Sequence, residues 1–200
     1  VMKAHGIAVP HIYGEIPEAS AVVMDWLPGE PNPCSADEAE QVHAVMDDYV
    51  DALVRAHDID PAAFAAAGLE IPTGPDAVAL GYFETFVTRY REFKQRPEPL
   101  LEFAIGWLRR HVPTHRSTPS FVLGDTGQFM YADRRITGLI DVELAHIGDV
   151  SHDLAGLRLR NVTEPMGDLG RLLRTYEDRS GEPLDRAAIE FHTAKFALCT

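Results

Sequence analysis

Residues 123–149 read LGDTGQFMYADRRITGLIDVELAHIGD, and the order of residue types within this stretch decides the fold. Ser120 to Leu123 is a short strand signal that ends on Gly124 and Asp125. Two further apolar runs, Phe129 to Tyr131 and Ile136 to Ile140, flank the polar Asp133-Arg134-Arg135 and so predict a β hairpin. Asp125 then stands at a strand end, Asp141 closes the second hairpin strand, and Glu143 follows two residues on. A hairpin returns the chain to where it began, so Asp125 and Asp141 can face one pocket although they are far apart in sequence.

Outward from the hairpin the pattern is helical. Ala21 to Trp26, AVVMDW, predicts a buried strand with Trp26 in the core, closed by Leu27-Pro28-Gly29. Pro28, Pro31 and Pro33 then exclude a helix. Ser35 with Glu38 predicts a capping box for a helix running to about His57. Its apolar face carries Val42, Met46, Tyr49, Leu53 and His57, with Asp47, Asp48 and Asp51 off that face. Further helices are expected over 76–94 and 99–111, the latter with a stripe of Leu100, Leu101, Ala104, Trp107 and Leu108. Helical pattern resumes over 151–158, 165–178 and 184 to the end, the last two separated by Gly181-Glu182-Pro183. The class is α+β, a mostly helical body carrying a small β hairpin. The opening VMKAHGIAVPHIYGEI begins without Met and reads as the interior of a domain, so upstream residues are expected.

With 18 Lys and Arg against 31 Asp and Glu, the net charge is −13. That argues against a nucleic-acid partner, since backbone binding rests on Lys and Arg neutralising phosphates. A small anionic ligand stays open, because a bound divalent cation reverses the local field. Cys34 and Cys199 are too few and too far apart for a disulfide framework or a metal site. There is no apolar run of about 18 residues and no basic-then-apolar opening, so no membrane span is expected and a reducing cytoplasm is the expected setting. Nothing in the sequence sets an oligomeric state.

The acids suit one chemistry well. Phosphoryl transfer needs one carboxylate to orient a hydroxyl and accept its proton, and another to hold Mg²⁺. Gly124 lets the loop turn tightly beside bulky phosphates. On spacing alone the commoner reading is that these are helix caps and solvated turn acids. His146, His152 and His192 show no helical i, i+4 pair that would suggest zinc, and read as packing or surface residues. His57, on the apolar side of its helix, reads as a satisfied core histidine.

The stretch closely resembles the catalytic segment of the aminoglycoside phosphotransferase-like family, which includes choline-kinase-like enzymes and the kinase-like domains linked to acyl-CoA dehydrogenases. Members show H-G-D-x-x-x-x-N, a short hairpin, then I-D-W-E-x-A-x-x-G-D-x-x-x-D-L-A. Here the first aspartate falls on Asp125, the I-D-x-E element on Ile140, Asp141 and Glu143, and the remainder on Gly148-Asp149 and Asp153-Leu154-Ala155. AVVMDWLPG resembles the last small-lobe strand and hinge, and EPMGDLGRLLRTYEDRSGEPLD the C-terminal helix pair of the dehydrogenase-linked branch.

The resemblance implies a protein-kinase-like two-lobe fold, with 1–28 the end of a partial small lobe and its hinge and 29–200 the helical lobe. It implies ATP or GTP with Mg²⁺, and a small-molecule hydroxyl as acceptor. Asp125 would be the catalytic base, Asp141 a metal ligand with Glu143 assisting or forming a salt bridge, and Asp25, Trp26 and Leu27 the adenine-facing hinge. Asp149 and Asp153 would brace the loop by accepting backbone N–H bonds. An acidic pocket would suit a cationic aminoglycoside or choline; the dehydrogenase-linked branch points to a hydroxylated acyl group or other metabolic alcohol.

Three departures bear on activity. The pattern's His is Leu123 here, which fills space but supplies no donor, so the loop is expected to rely on packing. The pattern's Asn falls on Met130, a poor ligand for a hard cation. Gln128 replaces it if the loop is two residues shorter than the relatives' G-D-T-G-P-G-N-F. No glycine-rich phosphate loop or strand-borne Lys is present. These departures also allow a catalytically impaired relative that binds a ligand or partner without turnover.

Overall fold

The computed structural model describes residues 1–31, 33, 39–113 and 118–199; Cys34 and the Ser35–Glu38 capping box lie outside them. An N-terminal hairpin, β1 (Ile12–Ile16) and β2 (Ala21–Met24), precedes helix α1 (Ala39–His57). Four helices follow: α2 (Pro61–Ala65), α3 (Pro75–Leu80), α4 (Phe83–Phe93) and α5 (Pro99–Arg110). Then come β3 (Ser120–Val122), β4 (Phe129–Ala132), β5 (Arg135–Leu139) and β6 (His146–Gly148). Helices α6 (Ser151–Thr163), α7 (Leu169–Ser180) and α8 (Arg186–Cys199) complete the chain.

Helix α1 runs through the centre. Val45, Met46, Tyr49, Val50 and Leu53 are buried on it and join Phe121, Leu123, Phe129, Leu154 and Tyr176 in one core. Its three aspartates have defined partners. Arg171 of α7 meets Asp47 through both carboxylate oxygens, at 2.7 and 2.6 Å. Asp48 accepts from Arg135 and from the Ile136 N–H, and Asp51 pairs with Arg179. The polar edge of α1 thereby fixes both α7 and the start of β5. A second core joins Phe83 and Val87 of α4, Ile105 and Leu108 of α5, and Phe191 of α8.

The central hairpin forms as the sequence predicts. Ala132 pairs with Arg135, and the two residues between them, Asp133 and Arg134, both take positive φ. That is the two-residue turn whose twist matches a right-handed strand pair. Both hairpin edges are occupied: Glu30 exchanges two backbone bonds with Tyr131, and the Leu139 N–H donates to the Ala8 carbonyl. The crossing at Gly29 is very close, since a Cβ there would lie 1.9 Å from the Tyr131 carbonyl oxygen.

Several expectations fail in instructive ways. The helix expected over 76–94 is two helices, broken at Gly81, whose φ of 47° and ψ of −120° are not helical. The α5 stripe is rotated: Ile105 and Leu108 are buried, while Leu100 is 77% exposed. Among the described residues strand β2 pairs with β1 alone, and its side chains are uncovered: Val22, Val23 and Met24 are exposed, and Trp26 is 91% exposed rather than in the core. Strand β6, three residues long, escaped the sequence pattern; it pairs antiparallel with β3, Ser120 opposite Gly148 and Val122 opposite His146.

Phe129 is fully buried and stacks on Tyr49 at a centroid distance of 4.8 Å. Phe129→Ala should therefore lower unfolding free energy by about 3–5 kcal/mol in urea titrations. A loss below about 1 kcal/mol would show that this contact does not hold the hairpin on α1.

Candidate active site

The loop from Leu123 to Gln128 is held along its backbone. Asp153, wholly buried in the first turn of α6, accepts from the Leu123 N–H at 2.7 Å, the Gly124 N–H at 3.1 Å and the Thr126 hydroxyl at 2.8 Å. His57 Nε2 lies 3.0 Å from the same carboxylate, and His57 Nδ1 lies 2.7 Å from the Tyr176 hydroxyl. Burial alone would raise the Asp153 carboxyl, but the bonds from His57, Leu123 and Thr126 hold it below its ordinary value. The Gly124 carbonyl meets His152 Nε2, the Thr126 carbonyl accepts from Arg160 Nε, and the Gly127 N–H donates to the Tyr49 hydroxyl. The loop therefore does not rely on packing in place of the missing histidine. Buried Leu123 fills the core while Asp153, His152, Arg160 and Tyr49 supply the polar bonds.

This bracing explains where the acids go. Gly127, at φ 93°, leads directly into Gln128. The Gln128 amide Nε2 lies 3.0 Å from Asp125 Oδ2 and 3.2 Å from Asp141 Oδ2. Glu143 joins the group, because its hydrogen bond with Asp141 raises its carboxyl above the ordinary value, with further repulsion from Asp141 and Asp125. The structure thus brings together Asp125, Gln128, Asp141 and Glu143. Asp141 is one of four non-glycine residues at positive φ among the described residues, with φ 59°. The turn before β6 closes the loop from the other side: a Cβ at Gly124 would lie 2.2 Å from the Leu144 carbonyl oxygen, so only glycine fits there.

Arg160 completes the site, and no pattern in the sequence pointed to it. Its Nη2 lies 2.6 Å from Asp125 Oδ1 and its Nη1 3.1 Å from Glu164. Helix α6 runs to Thr163, beyond the end expected near residue 158. That extra turn brings Arg160 over the loop.

The side chains of Asp25, Trp26 and Leu27 have separate surroundings. The Asp25 carboxylate accepts from the His11 N–H and the Tyr13 hydroxyl, and its own N–H donates to the His11 carbonyl. Trp26 projects into solvent. Leu27 packs against Gly138 of β5, three residues before Asp141. Asp149 accepts from the Ser151 N–H at the start of α6 and faces His192 at 3.8 Å. Its place is thus the helix start, and the loop-bracing expected of it falls to Asp153.

The sequence profile of the phosphotransferase enzyme family matches residues 1–192. Curated proteins give no match. Among solved structures, a candidate aminoglycoside phosphotransferase of Ralstonia eutropha JMP134 superposes with a TM-score of 0.71 at 18% identity, over 98% of this chain and 69% of that one. Macrolide 2′-phosphotransferase MphH of Brachybacterium faecium gives 0.66 at 21% identity, over 96% and 64%. Aminoglycoside phosphotransferase APH(4)-Ia, in a ternary complex with ADP and hygromycin B, gives 0.68 at 13% identity, over 96% and 68%. These likenesses show the α+β, protein-kinase-like fold; the chain spans about two thirds of each protein's length.

The Asp153 cluster sets an acid limit. Its carboxyl titrates below its ordinary value when folded and near about 3.9 when unfolded, so its stabilisation is full above that value. It is lost as pH falls through the folded value. Asp153→Asn should cost about 3–5 kcal/mol at neutral pH by leaving its donors unpaired, and should flatten the acid limb of the stability curve. An unchanged limb would contradict the assignment.

Proposed function

The chain belongs to the phosphotransferase enzyme family, and from that premise we propose that it transfers the γ-phosphoryl group of ATP or GTP to a hydroxyl of a small molecule, with Mg²⁺ at the Asp141 site. The carrying observation is the Gln128 amide nitrogen between Asp125 and Asp141. A donor held between two carboxylates occupies ground that favours a cation. Asp141, Glu143 and, with its amide turned over, Gln128 Oε1 form a set of hard oxygen donors suited to Mg²⁺. Among the described residues no three His, Cys, Asp or Glu converge as a cage. That suits an ion that takes one or two carboxylates and leaves its other positions to phosphates and water.

When bound, Mg²⁺ would neutralise charge developing on the phosphates. The chain's residues do the rest. Asp125 orients the acceptor hydroxyl, and its position is fixed by Arg160 on Oδ1. As the acceptor oxygen bonds to the γ-phosphorus and the bond to the β,γ-bridging oxygen breaks, the hydroxyl proton passes to Asp125 and the nucleoside diphosphate leaves. Trp26 and Leu27 would offer backbone groups to the base, with the Asp25 carbonyl beside them. We take 1–28 as the end of the small lobe and its hinge, and 29–200 as the helical lobe. The ADP and hygromycin B complex of APH(4)-Ia supports a nucleotide and a polyhydroxylated acceptor in one fold. Dependence on a nucleoside triphosphate supports a cytoplasmic setting.

A second reading, binding without turnover, draws on Leu123 and on Met130 at the position of the pattern's Asn. The loop's bonds to Asp153, His152, Tyr49 and Arg160 weigh against it, since they hold Asp125 without that histidine.

Two measurements test the proposal. ATP should raise the melting temperature only when Mg²⁺ is present; no shift at millimolar ATP would favour binding of some other ligand. Asp125→Asn should keep the fold and lower turnover by about 10²–10⁴-fold. Turnover that survives this change would remove Asp125 from the mechanism.

A further inference from the structure

The Gly124 carbonyl leads away from the acids into a second polar cluster. His152 Nε2 lies 3.1 Å from it, and His146 Nδ1 lies 2.9 Å from the Leu144 carbonyl. A carbonyl oxygen can only accept, so each of those ring nitrogens carries the proton. Burial pushes His146 down to about 4 and holds His152 well below its ordinary value, with the Lys195 charge adding to both shifts. Both rings are therefore neutral at pH 7, and each keeps one bare nitrogen that can only accept. Those two atoms, His146 Nε2 and His152 Nδ1, are buried and have no hydrogen-bond partner. The rings stand edge to face, 5.2 Å between centroids.

Lys195 supplies the opposite polarity. It is 1% exposed, and its Nζ donates to the Ala79 and Leu80 carbonyls at 3.0 and 3.1 Å. An ammonium has three donors, so one proton remains. The point that a Gly81 Cβ would occupy lies 2.7 Å from His146 Nε2 and 3.5 Å from Lys195 Nζ, so these two atoms border the same space. The two rings, Lys195, Tyr82 and Cys199 line a cavity of about 10 Å³. A volume of that size admits one water molecule and nothing larger, provided polar partners surround it.

We propose that this cavity is a binding site for one ordered water, which donates to His146 Nε2 and His152 Nδ1 and accepts from Lys195 Nζ. The required occupant must donate twice and accept once. A metal cation would meet the Lys195 charge, and a halide or other small anion has no proton for the bare nitrogens. The water fixes the His152 ring through Nδ1 while Nε2–H holds the Gly124 carbonyl. The loop is then braced from its carbonyl side by the water network as well as from its N–H side by Asp153.

A high-resolution crystal structure of the whole chain at neutral pH should show one solvent peak within hydrogen-bond distance of both His146 Nε2 and Lys195 Nζ. A dry cavity, or a direct bond between that nitrogen and Lys195, overturns the proposal. Nitrogen-15 spectra should report the Nδ1–H tautomer for His146 and the Nε2–H tautomer for His152; the opposite tautomer in either ring also overturns it. Oxygen-17 relaxation dispersion should count one long-lived internal water fewer in His146→Leu than in the parent, and equal counts would refute the site. None of these readouts depends on turnover, so they stand or fall apart from the phosphotransfer reading.

Discussion

The structure depends on one carboxylate that water never reaches. Asp153 is wholly buried, and it gathers two backbone N–H groups, a hydroxyl and a histidine from distant parts of the chain. An uncompensated buried charge is very costly, so the loop, α1 and α6 must assemble around it together. His57 ends α1, Leu123 to Thr126 form the loop, and Tyr176 of α7 holds the far side of His57. Apolar packing brings these elements near one another. The carboxylate sets the register at which they meet.

That register has chemical consequences. With Leu123 and Gly124 tied to α6, Asp125 projects from a short rigid loop, and about two turns further along the same helix Arg160 reaches its carboxylate. The hairpin delivers Asp141 from the opposite side, and Gln128 lies between the two acids. The bracing residues and the clustered acids thus alternate along a few positions. Tethering of this kind is what the proposed phosphoryl transfer, which rests on positioning, would require.

Much of this was legible in the sequence, and the limits have physical causes. The hairpin, its turn and the meeting of Asp125 with Asp141 follow from strand periodicity and turn chemistry, which are local. His57 was readable as a satisfied core histidine because it lies on an apolar helix face, but its partners, Asp153 and Tyr176, are about a hundred positions away. Arg160 left no trace, since nothing in a helix-end arginine announces a carboxylate 35 residues upstream. Trp26 was misjudged because burial of a strand depends on what covers it, and β2 has only β1 beside it. The break at Gly81 shows how a single glycine can outweigh a helical pattern on both sides; its conformation is one that L side chains rarely adopt. The three histidines without zinc spacing did meet in space, ring against ring.

The backbone at Asp141 sets two demands against each other. A φ of 59° is a conformation that side chains with a Cβ tolerate poorly, and aspartate bears it better than most. Glycine at this position would relax the turn and make the folded chain easier to hold, yet it would delete the carboxylate that the site is built to present. Selection for robustness alone would therefore drift away from aspartate here. On the proposed reading, the strain at this position is the counterpart of the carboxylate that would hold the cation.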